Sequence, residues 1–335
     1  MSEKIPTIKE IAKLLKVSVS TVSRALSDHP RIGLATKERV NALAKELNYE
    51  PNTKAINFKQ GKSFVLGVIV PDVVEEFFSK AISGIEDAAM EKGYTILFGQ
   101  SHDSFEKEKM VVDAMKKQRV DGVLISLSKE TANFNHIKEL EKYDIPVVYF
   151  DRTPDSQKVN KVFCSLFNST VELIDRLFKK GKKRIAFING PDELSASKER
   201  LQGYIEGISK KKLKVDMRLV EKTDFSEEQT HAAMYNLMSQ KKKPDAIICF
   251  NDYVHLHAVD WAIKNNITIN EDIVFASYAN ISFNRFTAHP PEISVDQAPY
   301  KQGQIAVDVM LEILNNKNEN NKFINKEIKT ELVET

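Results

Sequence analysis

Two groups of residues in this 335-residue chain have types and spacings suited to recognition chemistry. The first is Val19, Ser20, Ser23 and Arg24, within VSVSTVSRAL. At helical spacing, short polar side chains and one arginine share an exposed face. Such a face suits base edges in a DNA major groove, where a guanidinium bonds bidentately to guanine. The second group follows apolar runs: Asp72, Phe77 and Phe78 after VLGVIVP, Asp151 and Arg152 after PVVYF, and Asn189-Gly190-Pro191 after RIAFI. Asn251-Asp252 after IICF and Asn280 after VFASY complete it. Any one polar strand end is most simply a cap. Five ends together suit a small polar ligand held at the carboxyl ends of parallel strands.

Signatures of catalysis are missing. There is no G-x-S-x-G, no phosphate-binding P-loop, no H-E-x-x-H and no dinucleotide glycine fingerprint, so an enzyme is not expected. His255 and His257 are two positions apart, which a helix does not place on one face. Cys164 and Cys249 sit in apolar, strand-like surroundings, so buried thiols are expected rather than a disulfide or metal site. Neither cofactor nor metal is expected.

Short helices must position the first group. Thr7 and Glu10 form a capping box ahead of an apolar face of Ile8, Ile11, Ala12 and Leu15. Ser18 caps a second helix that turns Val22, Ala25 and Leu26 inward, and a third helix spans 33–47. Residues 1–62 hold 12 Lys and Arg against 6 Asp and Glu, while the remainder holds 37 against 41. A basic helical head on a mildly acidic body is the electrostatic footprint of a phosphate-backbone binder. PNTKAINFKQGK (51–62) reads on its own as a linker, since so short a helix does not hold in water.

From Phe64 the pattern becomes alternating strands and helices. Strands are expected at 65–70, 94–99, 120–126 and 146–150, then at 184–188, from 219, at 246–250 and at 273–278. Helices lie between them, a helix follows at 300–314, and one or two strands end the chain. Two doubly wound lobes and a cleft follow. The expected division is 1–50 headpiece, 51–62 hinge and 63–335 core. Lobe 1 takes about 63–162 and 294–320, and lobe 2 takes 163–292 and 321–335. No apolar run approaches bilayer length and the N-terminus has no secretory h-region, so a cytoplasmic, non-membrane protein is expected.

T7-I8-x-E10-I11-A12, V17-S18, T21-V22-S23-R24-A25-L26 and N48-Y49-x-P51-N52 resemble the N-terminal signature of the lactose/purine-repressor (LacI) family of bacterial transcription regulators. F-x-x-x-I-x-x-G-I-E (78–86), D121-G122-V123, R200-L201-Q202-G203-Y204, N251-D252 and D296-Q297 are similar to that family's periplasmic-binding-protein-like core. The resemblance implies an all-α helix-turn-helix headpiece on an α/β core. It implies DNA contacts from Thr7, Val19, Ser20, Thr21, Ser23, Arg24 and Asn52. It makes 51–62 a hinge helix whose Phe58, where the family usually has Leu, wedges into the minor groove. Lys54 and Lys59 supply phosphate or groove-edge contacts. In the core it implies that Phe78 lines the pocket and that Asp151, Arg200 and Asn251 bond the effector. Asp72, Phe77, Arg152, Ser197 and Asn280 join that set. Trp261 is a further candidate, although an isolated helical Trp usually packs a core, and Asp252 is read alternatively as a helix cap.

Two departures from the family pattern stand out. Ala279 replaces an acid after VFASY, and Phe167-Asn168 stands where D-N is frequent. Arg152, Lys198 and Arg200 are then comparatively unopposed, which points to a sugar acid or phosphorylated sugar. The expected protein is a homodimeric repressor on a pseudo-palindromic duplex operator, controlled by a carbohydrate-like effector. No heptad-rich tail follows Val333, which favours a dimer over a tetramer. The other readings are a sugar-binding transport protein and a regulator whose cleft has lost its ligand. The basic head argues against the former.

Overall fold

The computed structural model describes residues 6–50, 61–316 and 322–335. The chain divides at Ser63 into a small helical unit and a larger α/β unit.

In the small unit, α1 (Ile8–Leu15), α2 (Val19–Leu26) and α3 (Leu34–Glu46) pack around Ile11, Ala12, Val22, Ala25, Val40 and Ala44. The capping box forms as the residue types require: Thr7 N–H donates to Glu10 Oε2 at 2.7 Å, and Glu10 N–H donates to Thr7 Oγ1 at 3.4 Å. Lys16 stops α1 in the left-handed conformation (φ 53°), and Ser18 Oγ accepts from Thr21 N–H at 3.1 Å to start α2. The turn between the helices is therefore specified at both sides.

The large unit holds two six-stranded sheets. The first contains β1 (Val65–Val70), β2 (Thr95–Gln100), β3 (Gly122–Ile125), β4 (Val147–Phe150), β5 (Asn160–Cys164) and β11 (Asn325–Ile328). All are parallel, in the spatial order β11-β5-β4-β3-β1-β2. The second contains β6 (Ile185–Asn189), β7 (Val220–Lys222), β8 (Ala246–Cys249), β9 (Val274–Tyr278), β10 (Ile293–Asp296) and β12 (Glu331–Glu334). Its order is β12-β10-β9-β8-β6-β7, with only the β10–β12 pair antiparallel. Central strands are apolar on both faces because helices cover both sides.

Helices α4 (Glu76–Glu91), α5 (Phe105–Gln118) and the short α6 (Asn135–Lys138) follow the first lobe's strands. α7 (Leu166–Lys179), α8 (Ser195–Lys210), α9 (Glu227–Met238) and α10 (Asp252–Lys264) belong to the second. α11 (Pro299–Asn315) returns to the first lobe against α4. That crossing is close because glycines sit in it. A Cβ on Gly84 would lie 2.1 Å from Tyr300 O, and one on Gly303 would lie 2.2 Å from Ala81 O.

The lobe boundaries differ from the sequence expectation in three places. β5 lies in the first sheet and runs to Cys164, beyond the expected division at 162. β10 (Ile293–Asp296) belongs to the second sheet, so residues 294–296 are not in lobe 1. Of the terminal strands assigned to lobe 2, β11 instead pairs with β5 in lobe 1, and only β12 reaches lobe 2. Edge strands this short carry too little apolar pattern to betray their sheet. Among the described residues, no helix is long and apolar enough to cross a membrane.

Candidate functional site

α2 presents Ser20, Arg24 and Val19 outward, Val19 being 41 % exposed, while Val22 and Ala25 hold the helix to the core. Thr21 and Ser23 are half-buried beside that face. The hydroxyls of Ser20 and Thr21 each lie 2.8 Å from Ser18 Oγ, so the cap also orders the helix's first turn. Thr7 is engaged in its capping box. Asn52, Lys54, Phe58 and Lys59 lie outside the described residues.

In the large unit a small cavity of about 40 Å³ lies between the lobes. Glu75, Phe77, Phe78, Asp151 and Arg152 line it from lobe 1. Arg200, Phe250, Asn251, Tyr253 and Ala279 line it from lobe 2, with Gln297 at the crossing. Asp151, Phe250, Asn251 and Ala279 stand just past strand carboxyl ends, while Phe77 and Phe78 come from α4, Arg200 from α8 and Tyr253 from α10. Asp151 sits in the left-handed conformation (φ 56°) just after β4.

Arg200 is the unusual group. It is 3 % exposed, with its guanidinium carbon 4.0 Å from the ring centre of Phe250 and 4.1 Å from that of Tyr278. Its one hydrogen bond, Nη2 to Gln297 Oε1, is long at 3.4 Å, and Nε and Nη1 have no partner among the described residues. A buried guanidinium with unmet donors costs free energy, and an acceptor entering the cavity recovers it. The acids lining the cavity are perturbed. Burial pushes the Asp151 carboxyl up against the opposing pull of Arg152 and Arg200. Burial also pushes Glu75 up to about 7, with Arg152 opposing.

The lobes are closed on one another. Tyr253 Oη donates to Val74 O at 3.1 Å and accepts from Glu76 N–H at 3.2 Å. Glu76 accepts from Ser282 N–H and Oγ, each at 2.8 Å. Ser195 Oγ donates to Thr153 O at 3.0 Å, and Lys129 Nζ donates to Asp224 O at 3.0 Å.

Several candidates stand elsewhere. Asp72 accepts from Val74 N–H at 2.9 Å and does not line the cavity. Ser197 is buried outside the lining, its carbonyl accepting from Asn189 Nδ2. Asn280 is drawn away by Asp296 Oδ2, to which its Nδ2 donates at 2.9 Å. Asn251 lines the cavity while capping α10, its Oδ1 accepting from Val254 N–H at 2.9 Å. Asp252 is not the cap. It is buried, accepts from Ser277 Oγ and from Ile281 N–H, and burial pushes it up to about 6. Trp261 packs on the second lobe's core.

The reading of unopposed cations is also corrected. Arg152 Nη1 lies 2.5 Å from Asp103 and its Nη2 lies 3.7 Å from Glu75, while Lys198 pairs with Asp155 at 3.1 Å. Of the three, only Arg200 has no carboxylate partner among the described residues, and acids stand against the other two. Glu75, Phe250 and Tyr253 were not picked out from sequence. Their signal was position alone, at or just after strand ends.

A family model described as "Bacterial regulatory proteins, lacI family" matches residues 7–52, and one described as "Periplasmic binding proteins and sugar binding domain of LacI family" matches 63–330. The transcriptional repressor CytR of Escherichia coli K12 is 30% identical over 310 residues, covering 92% of this chain and 90% of its own. A lac repressor dimer bound to operator and the anti-inducer ONPF is similar in fold, with TM-score 0.84, 22% identity and coverage of 99% and 98% of the two chains. The regulator CelR in complex with cellobiose gives TM-score 0.73, 24% identity and 98% coverage of each.

Proposed function

The chain belongs to the lacI family of bacterial regulatory proteins, and we propose that it represses transcription as a homodimer on a pseudo-palindromic operator under control of a neutral, polar effector. DNA binding and a small-molecule-binding core are properties of the family. Homodimer, operator symmetry and effector class are the proposal.

One observation carries the effector reading: the buried Arg200 with two unmet donors inside a cavity that both lobes line. An effector with an acceptor for Arg200 and a hydroxyl or N–H for Asp151 or Glu75 satisfies both sides. Phe77 and Phe78 supply apolar surface for a sugar ring. A carbohydrate fits this demand, and cellobiose is bound by a regulator of the same fold. The cavity as it stands is too small to admit a sugar, so entry requires the lobes to part and the Tyr253 and Glu76 hydrogen bonds to break. Ligand thereby biases the lobe angle. In a dimer this changes the spacing at which two headpieces reach two half-sites, and with it the population able to seat both hinges.

Arg24, Val19 and Ser20 are the proposed base-reading residues, and Phe58 the proposed wedge. Selection of duplexes from a random pool tests the DNA part, with a palindromic consensus expected. Recovery of no consensus at moderate salt overturns it. A thermal-shift screen of neutral sugars, sugar acids and sugar phosphates tests the effector part, since a ligand that binds only the folded state raises Tm by mass action. Neutral sugars are expected to shift it, and a response confined to anions overturns the class.

A further inference from the structure

The end of the second lobe opposite the cleft carries a charge that the rest of the core does not. KKGKKR (179–184), KKKLK (210–214) and KKK (241–243) place twelve Lys and Arg within fourteen residues. The core from residue 63 onward holds 37 Lys and Arg against 41 Asp and Glu, so its remaining surface is acid-rich. The three segments lie in the loops that enter β6, β7 and β8, which are neighbours in the order β8-β6-β7. Three adjacent parallel strands span about 10 Å, so the loops form one face.

Hydrogen bonds hold the loops together. Arg184 Nε donates to Lys242 O at 2.9 Å and its Nη2 to Gln240 Oε1 at 2.8 Å. Asp245 accepts from the N–H groups of Lys183 and Arg184 at 2.8 and 2.9 Å. Gln240 Nε2 donates to Arg218 O at 2.6 Å.

Nearby carboxylates are committed to other cations: Asp175 to Lys179 and Lys211, Asp216 to Arg184 and Arg218, and Glu292 and Glu334 to Lys180. Among the described residues, no carboxylate pairs with Lys182 or Lys183 on the first loop. The same holds for Lys212 and Lys214 on the second and for the three lysines at 241–243. Nearly all of these lysines are exposed.

Seven flexible point charges without interleaved aromatics suit phosphates. They give neither base stacking nor the aromatic anchor that a protein partner's hot spot requires. We propose that this end of the second lobe binds the phosphate backbone of a second DNA duplex without reading its sequence, so that an operator-bound protein holds two DNA segments. The inference rests on the DNA-binding reading above.

The experiment uses the full chain, saturated with unlabelled operator duplex and then mixed with a labelled duplex of unrelated sequence at 50 mM salt. A ternary complex is expected, weakening steeply with salt. The five-fold variant K182Q/K183Q/K241Q/K242Q/K243Q should bind the second duplex at least tenfold more weakly. The slope of log affinity against log salt should fall by about 0.9 for each phosphate contact removed. Operator affinity of the variant should stay within twofold of the parent, since the headpiece is untouched. No ternary complex with the parent chain overturns the inference, and so does an equal complex with the variant. An acidic protein as the true partner would give the first of these results. Loss of operator recognition in the parent would instead fail the earlier reading, so the two failures are distinct.

Discussion

Three side chains carry the most specific consequences. Arg24 stands exposed on α2. Arg24→Ala should cost about 1–3 kcal/mol of discrimination at one base pair of the operator, read by competition with single-base variants; equal loss on every sequence would remove it from base reading. Arg200 lies buried between two rings with unmet donors. Arg200→Met keeps apolar bulk between Phe250 and Tyr278 and deletes those donors. Tm without ligand should hold or rise, while the ligand-induced shift disappears. A large fall in the unliganded Tm would mean that the guanidinium is already satisfied. Glu75 is held, mainly by burial, at about 7 against an ordinary 4.5. Its folded-state pKa is raised, so the unfolded chain loses this proton first as pH rises. Well below pH 4.5 the group is protonated in both states, and between about 4.5 and 7 stability falls. Above 7 the cost is fully present. Glu75→Gln should therefore flatten the pH dependence and stabilise the protein at pH 8 by about 1–3 kcal/mol, discounted for the quarter of the side chain that is exposed. Identical pH profiles for variant and parent would contradict this.

Legibility varied by element, for physical reasons. Thr7, Glu10 and Ser18 define helix starts locally, so α1 and α2 were readable from residue types alone. The central strands were readable as apolar runs because both of their faces are covered. β5 was not read, because Asn160 and Lys161 interrupt its pattern. Lys161 is in fact buried, donating to Pro154 O at 3.3 Å, a partner that only tertiary structure supplies. The same limit applies to the cleft. Asp151, Arg152, Arg200, Phe77, Phe78 and Asn251 come together around one cavity, whereas Asp72, Ser197 and Asn280 are placed elsewhere by bonds that spacing does not reveal. The crossing of α4 and α11 is a further element-scale feature that composition hides. Gly303→Ala forces a methyl against the Ala81 carbonyl and should cost about 1–3 kcal/mol in urea unfolding. A change within 0.3 kcal/mol would show that the helices separate freely.

At the scale of the whole molecule, the family places a DNA-binding domain and a ligand-binding core in one chain, and regulation requires the two to be coupled. The closed lobes, tied by Tyr253, Glu76 and Ser282, supply an arrangement that an effector can bias only by binding one lobe angle better than another. On the proposed function, that bias acts on the insertion of Phe58 as a wedge. Phe58→Ala should weaken operator binding and reduce DNA bending while the headpiece stays folded, and unchanged bending would remove the wedge. The most direct measurement is operator Kd for the full chain, with and without a saturating neutral ligand found by thermal shift, in the parent and in Arg200→Met. Coupling of about 1–3 kcal/mol should change the parent's Kd by roughly 5- to 150-fold and leave the variant's unchanged. A parent Kd that does not move at saturating ligand would contradict effector control through the cleft.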